Sequence, residues 1–211
     1  MQQLLSLMRL SLTIISVFIF STAAAFATTK GLNQIVTPDV QPYGQLSISV
    51  QAQHPDIGNG LELQTELGVT KNFEIAIFQG IKPGALIFNA EYGIIQNGGT
   101  LLSAGVNNVR WGRGAVQPYL EAGYSRGKSR YMAGTAYSSS HLEGILGWGY
   151  QATPDLLLQL DYQSGAENYF TAGINVNISR NVQFNPAIYI SNTASHTLLG
   201  YGVLTWNITA W

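Results

Sequence analysis

The sequence predicts an all-β fold, a transmembrane antiparallel up-and-down β-barrel of about twelve strands, with ten to fourteen possible. Three observations predict it. Apolar and polar residues alternate with a period of two from residue 44 onward. Charged residues make up 10% of the 211 residues, whereas ordinary soluble domains carry roughly 25%. Beyond the N-terminal residues, no apolar run is long enough to cross a membrane as a helix.

The first 27 residues have the pattern of a cleaved secretory signal peptide. Arg9 supplies a positive charge, residues 10–20 form an apolar run, and Ala25-Phe26-Ala27 is a small-x-small cleavage site. The alternative is a retained membrane anchor, because residues 10–27 could nearly span a bilayer. The short apolar core and the position of the cleavage site favour cleavage after Ala27.

The mature chain divides into an irregular lead and a barrel. Residues 28–43 hold two prolines and no steady alternation, so we expect an irregular periplasmic or lumen-entering lead. The barrel is predicted to occupy residues 44–211. Its clearest strand covers residues 45–53, where Leu46, Ile48 and Val50 share one face and the intervening glutamines and serines share the other.

The spacing of the strands predicts where the barrel turns. Strands of about ten residues, tilted near 40°, rise roughly 25 Å, which is the height of the apolar band of such barrels. An even strand number puts both termini on the periplasmic side, and residues 107–114 give the longest predicted outer loop. Periplasmic turns are predicted near Lys71, Asn97, Gly127, Thr153 and Arg180, and outer loops near Asp56, Pro83, Trp111, Ser139, Glu167 and Ala194.

A soluble β-sandwich is the alternative for alternating strands. The polar faces of a sandwich should carry mixed lysine, arginine and glutamate. Here they carry glycine, serine, asparagine and glutamine, with a few carboxylates and almost no cations. Aromatic residues such as Tyr92, Tyr124 and Trp148 sit towards strand ends, as a girdle at a membrane interface requires. Both features favour a barrel with lipid on its apolar face.

The signal sequence, the alternating strands and the terminal Trp211 together resemble a bacterial outer-membrane β-barrel of the small porin-like class. The resemblance covers residues 44–211 and implies location in the outer membrane of a Gram-negative cell, contact with its lipid, and recognition of the last strand by the barrel-assembly machinery. The last strand departs from the usual pattern. Val203, Tyr201 and Leu199 lie on one parity and Trp206 and Ile208 on the other, so a bulge near Leu204 is predicted to join them.

The charges point to the lumen as the functional region. Most of the eleven acidic residues fall on the polar, inward parity of strands, whereas nearly all cations fall in loops or turns. Two carboxylates about 7 Å apart repel by roughly 0.6 kcal/mol in water and roughly 2.4 kcal/mol at an effective dielectric of 20. A wet lumen could therefore keep them ionised and attract cations. The predicted pore-lining residues are Glu62, Glu66, Glu74, Glu91, Glu121, Glu143, Asp161 and, as the inward cation, Arg130.

The leading hypothesis is a narrow passive pore for small cationic or neutral solutes. One alternative is a closed structural barrel, whose carboxylates would hydrogen-bond to inward polar residues. Another is an enzyme that cleaves lipids or peptides at the outer rim, where His54, His141 and His196 lie near several serines. We expect no catalytic residues, no metal site and no cofactor, because no ligand spacing supports one. The absence of cysteine excludes disulfides, and the net charge of −1 gives no reason to expect a nucleic-acid partner.

Overall fold

The computed structural model describes residues 31–82, 84–110, 116–138 and 141–209. The predicted signal peptide and Trp211, the proposed contact for barrel assembly, lie outside these residues. Within the described residues, no helix has the length and apolarity needed to cross a membrane.

Twelve antiparallel strands close into one barrel, as predicted. Each strand pairs with the next along the chain, and β1 pairs with β12 to complete the ring. Because the sheet closes on itself, it has no edge that exposes unpaired backbone groups. The strands are β1 (Gln45–Gln53), β2 (Leu61–Thr70), β3 (Phe73–Lys82), β4 (Gly84–Asn97), β5 (Thr100–Arg110), β6 (Gln117–Arg126), β7 (Ser129–Ser138), β8 (His141–Thr153), β9 (Leu156–Gln163), β10 (Tyr169–Asn177), β11 (Val182–Ser191) and β12 (Leu198–Thr209).

The alternation of the strands separates an apolar exterior from a mainly polar interior. In β1, Ser47 and Ser49 are buried inside the barrel, whereas Val50 is 49% exposed on the outside. Large apolar side chains are exposed around the barrel, among them Leu63, Ile77, Leu120, Leu146, Phe170 and Trp206. A monomeric soluble protein rarely leaves so large an apolar surface in water, so lipid is the surrounding that suits this exterior.

The described strand connections fall where the alternation predicts them, whereas the loop positions predicted at Pro83, Trp111 and Ser139 lie outside the described residues. One end of the barrel, here called the turn end, carries the short turns near Lys71, Asn97, Gly127, Thr153 and Arg180. In the tight turn after β4, Gly98 and Gly99 both take positive φ, of 58° and 85°, which glycine adopts without steric cost. The opposite end is the loop end. β5 continues to Arg110, so the loop expected at residues 107–114 begins later than predicted.

The predicted bulge in the last strand is absent. β12 pairs with β1 in unbroken register from Thr209 to Tyr201, so Leu204 occupies an ordinary strand position. Trp206 and Leu204 face outward, while Leu199 and Val203 are buried inside the barrel. The prediction was wrong because it required every inward residue to be polar. The loop-end half of β12 instead packs apolar side chains inside, where Leu199 joins a cluster with Tyr169, Ala187 and Tyr189.

Residues 31–43 are here called the N-terminal segment, which lies inside the barrel except at its last two residues, Pro42 and Tyr43, which are exposed. Their last residue, Tyr43, forms an isolated parallel bridge to Gly68 of β2, and the chain then enters β1. Leu32, Ile35 and Thr37 are each at most 5% exposed. The interior of the barrel is therefore shared between the inward side chains of the strands and a segment of the same chain.

Candidate functional site

The N-terminal segment winds around the inner wall of the barrel. From Pro42 back to Asn33, its residues meet β2, β4, β6, β8 and β10 in turn, and at each of these strands the wall residue is a glycine. A Cβ atom on any of the five glycines would lie 2.1 to 2.8 Å from the segment, closer than side chains tolerate. The contacts are Gly68 with Pro42, Gly93 with Val40, Gly123 with Pro38, Gly147 with Ile35, and Gly173 with Asn33.

This row of glycines forms a groove that only a wall without side chains could provide. At Gly68 the missing side chain lets the backbone of Pro42 approach the strand closely, and at the other four glycines it leaves space for a side chain of the segment. The lumen is narrowed along the path of the segment. The sequence shows these glycines only as scattered polar-face residues, so their common purpose was not predicted.

Carboxylates on the wall hold the segment at both ends. The Asp161 Oδ2 atom accepts hydrogen bonds from the backbone N–H of Asn33, at 2.7 Å, and of Gln34, at 3.3 Å. Near the other end, the Glu74 carboxylate accepts the backbone N–H of Gln41. Hydrogen bonds to charged groups contribute about 1.5 to 3 kcal/mol each, so these contacts fix the segment firmly.

The middle of the segment is held by side chains from the turn end. The Arg130 guanidinium forms an ion pair with Asp39 of the segment. Gln96 donates from its Nε2 atom to the carbonyl oxygen of Pro38 at 2.7 Å. Arg130, predicted as the one inward cation, therefore contacts the segment and is half-buried against it.

A cavity of about 440 Å³ occupies the barrel on the loop-end side of the segment. Residues 31–36 form part of its wall, and no residue of 37–43 lines it. Around the turn-end half, small polar side chains fill the space through hydrogen bonds such as that between Ser49 and Thr205. Five carboxylates from the strands line the cavity: Glu62, Glu66, Glu74, Glu91 and Glu121.

All seven predicted acidic residues have buried side chains, at most 6% exposed. Glu62 accepts hydrogen bonds from Asn59, at 2.8 Å, and Gln64, at 2.9 Å, and Glu91 accepts one from the hydroxyl of Tyr119. The structure thus brings five of them to one cavity. Asp161 instead holds the N-terminal segment, and Glu143 lies near the loop end. Their role in lining a conducting pore stays a prediction.

The interior also holds apolar side chains that the alternating pattern did not predict. Leu32 and Ile35 of the segment pack against Tyr119, Met132 and Ile145 of the wall in one buried cluster. The cluster covers one side of the lumen near the glycine groove. Leu32, Ile35, Tyr119 and Ile145 of this cluster also line the cavity, so its wall is partly apolar and partly acidic.

The three histidines all lie at the loop end, in separate surroundings. His54 Nδ1 is 3.6 Å from an Asp56 oxygen, and His196 Nδ1 is 3.3 Å from the backbone oxygen of Ser191. His141 Nε2 lies between Glu143 and Glu167. In the described part of the chain, none of these histidines hydrogen-bonds to a serine hydroxyl, so the dyad that an enzyme at the rim would need has no support there.

Solved structures of porins are similar to this barrel. A KdgM porin, solved in complex with disordered oligogalacturonate, matches with a TM-score of 0.54 and 10% identity, over 77% of this chain and 98% of that chain. A NanC porin matches with a TM-score of 0.48 and 7% identity, over 79% of this chain and 99% of that chain.

No protein-family model matches the sequence, and a search of curated proteins found no match. At such low identity, the structural likeness speaks for the fold alone. Together with the closed ring of twelve strands and the apolar exterior, it leads to one conclusion: the chain has the fold of a porin-like outer-membrane β-barrel.

Proposed function

We propose that this protein is an outer-membrane channel for small solutes that prefers cations, and that its N-terminal segment controls the width of the path. The observation that carries the proposal is the cavity of about 440 Å³ with five strand carboxylates on its wall. Its described lining includes one basic side chain, Arg110, at the loop end. The KdgM porin with a similar barrel, solved in complex with disordered oligogalacturonate, supports passage of solutes through this kind of barrel. Its ligand is an anion, so the preference for cations proposed here depends on the carboxylates of this chain alone.

Electrostatics support a preference for cations. A monovalent cation about 7 Å from one ionised carboxylate gains roughly 0.6 kcal/mol in bulk water and roughly 2.4 kcal/mol at an effective dielectric of 20. A narrow lumen with low-dielectric walls lies between these limits, and several carboxylates act together. An anion meets the same fields with the opposite sign, so it is excluded while neutral solutes are not.

The N-terminal segment supports a narrow and adjustable path. It is held to the wall by hydrogen bonds and one ion pair at its polar residues and by one apolar cluster. Displacing the segment loses about 1.5 to 3 kcal/mol for each hydrogen bond to a charged group and about 1 kcal/mol for each neutral one, so the segment leaves the wall only when these contacts break together. Displacement of the segment would connect the cavity with the turn end of the barrel.

Planar bilayer recordings under a salt gradient test the selectivity. We expect discrete conductance steps and a reversal potential that favours K⁺ over Cl⁻. Replacing Glu91→Gln together with Glu121→Gln should lower the permeability ratio several-fold, because both side chains line the cavity.

The matched control is Asp155→Asn, which removes one carboxylate from an exposed turn outside the lumen and should leave the ratio unchanged. Anion preference that survives the double replacement would contradict the proposal. A complete absence of conductance, both in the native chain and after displacement of the segment, would favour the closed structural barrel instead.

A further inference from the structure

We propose that the loop end of the barrel carries a binding site for one divalent transition-metal ion, with Zn²⁺ as its best occupant, formed by His141, Glu143 and Glu167. The first two residues begin β8, and the third lies in the loop between β9 and β10. One ligand atom from each residue lies within 4.8 Å of the others. The proposal does not depend on conduction through the lumen.

The two distances from the histidine to the carboxylates match the spacing of ligands around a tetrahedral metal. His141 Nε2 is 3.1 Å from Glu143 Oε1 and 3.3 Å from Glu167 Oε1. Ligand atoms about 2.0 Å from a tetrahedral zinc are about 3.3 Å from one another. A neutral histidine carries at most one proton on this nitrogen, so it can donate to only one of the two oxygens.

The Glu143 side chain is the independent observation that points to a ligand. It is completely buried, and among the described residues its Oε1 atom accepts no hydrogen bond, so that its close polar neighbour there is His141 Nε2 at 3.1 Å. Its other oxygen accepts from the Nε2 atoms of Gln163 and Gln117. An outer layer of hydrogen bonds that orients a carboxylate is usual around metal ligands, and here it directs the remaining oxygen towards the cluster.

The surrounding loop leaves room for the ion. Gly165 has a positive φ of 114°, and a Cβ there would lie 2.9 Å from Asn168 Nδ2, 3.4 Å from Glu143 Oε1 and 3.6 Å from Glu167 Cδ, so glycine keeps this side of the cluster clear of a side chain. His141 and Glu167 are 47% and 54% exposed, so an ion can enter from solvent and keep a water molecule as its fourth ligand. The imidazole favours Zn²⁺ over Ca²⁺, which takes six to eight oxygen ligands. Glu167 also lines the cavity, so the ion would sit at its mouth.

Isothermal titration of the untagged, EDTA-treated barrel in detergent tests the site. We expect one Zn²⁺ bound per chain, with affinity at least tenfold weaker in His141→Ala and in Glu167→Gln, and no comparable binding of Ca²⁺. These two residues are half-exposed, so their replacement should leave folding intact, which heat-modifiable gel mobility checks.

The matched control is His54→Ala. His54 lies at the same end of the barrel but faces one carboxylate at 3.6 Å, so its loss should leave the affinity for Zn²⁺ within about twofold. Absence of saturable Zn²⁺ binding to the native chain would overturn the proposal. Equal affinity in His141→Ala, or an equal loss in His54→Ala, would do the same.

Discussion

At the scale of single residues, the buried carboxylates have separate tasks although the sequence shows them as one set. Glu91 and Glu121 line the cavity. Asp161 accepts two backbone N–H groups of the N-terminal segment, and Glu143 directs one oxygen at a histidine. The inward parity of these residues could be read from the alternation. Their division could not, because it depends on a segment without periodicity and on loops that meet only in the folded barrel.

Asp161→Ala should release the first part of the N-terminal segment. The backbone N–H groups of Asn33 and Gln34 lose an ionised acceptor worth about 1.5 to 3 kcal/mol per hydrogen bond. Hydrogen exchange measured by mass spectrometry should then accelerate at least tenfold over residues 32–35, without loss of the barrel. Asp155→Ala, in an exposed turn, is the control. Unchanged protection in Asp161→Ala would show that the hydrogen bonds do not hold the segment.

At the scale of elements, the strands could be predicted and the segment could not. Period-two alternation predicted twelve strands and the positions of their turns, because one face of each strand meets lipid. The N-terminal segment has no periodic pattern of apolar and polar residues, so its sequence does not predict its position. That position depends on contacts with the glycines and carboxylates of the strands. The sequence does hold a sign of the segment's position, because Gly68, Gly93 and Gly123 are inward glycines on every second strand. A glycine in a strand can also mark a bulge or a bend, so the pattern alone does not predict a bound segment.

Gly68→Ala should displace the segment near its end. The added Cβ would lie 2.1 Å from the carbonyl oxygen of Pro42 and 2.6 Å from that of Gln41, and backbone atoms cannot move aside as a flexible side chain can. The chain has no cysteine, so a single Thr37→Cys reports on the segment through its rate of maleimide labelling.

Thr37 is 2% exposed, and labelling should therefore be slow in Thr37→Cys alone and at least tenfold faster when Gly68→Ala is added. Gly200→Ala is the matched control, because a Cβ at Gly200 meets nothing within 4 Å. Equal rates in the two combined variants would mean that the glycine groove does not determine where the segment lies.

At the scale of the whole molecule, the fold follows from the two faces of each strand, one apolar and facing outward, the other mainly polar and facing the interior. The last strand shows the limit of that rule. Leu199 and Val203 point inward because the loop-end interior contains an apolar cluster, and a prediction that allowed only polar residues inside required a bulge that the strand does not have. Composition and alternation predict a barrel with a polar interior, but they do not show how that interior is filled.

The central claim is that ions cross this barrel when the N-terminal segment leaves the wall, and a reversible crosslink tests it directly. The Val40 Cγ2 atom, where the sulfur of Val40→Cys would lie, is 2.8 Å from a Cβ at position 93. One sulfur of a disulfide lies roughly 3 Å from the Cβ of the other cysteine, so Val40→Cys with Gly93→Cys can form the crosslink while the segment is at the wall. Each single-cysteine variant serves as the control.

Bilayer conductance of this double variant should be nearly absent under oxidising conditions and rise at least to the native level when a reductant is added, because the free side chain introduced by Gly93→Cys then pushes the segment from the wall. The single-cysteine variants should conduct alike in both conditions. Full conductance through the oxidised, crosslinked barrel would contradict the account, because the path would then be open with the segment fixed in place.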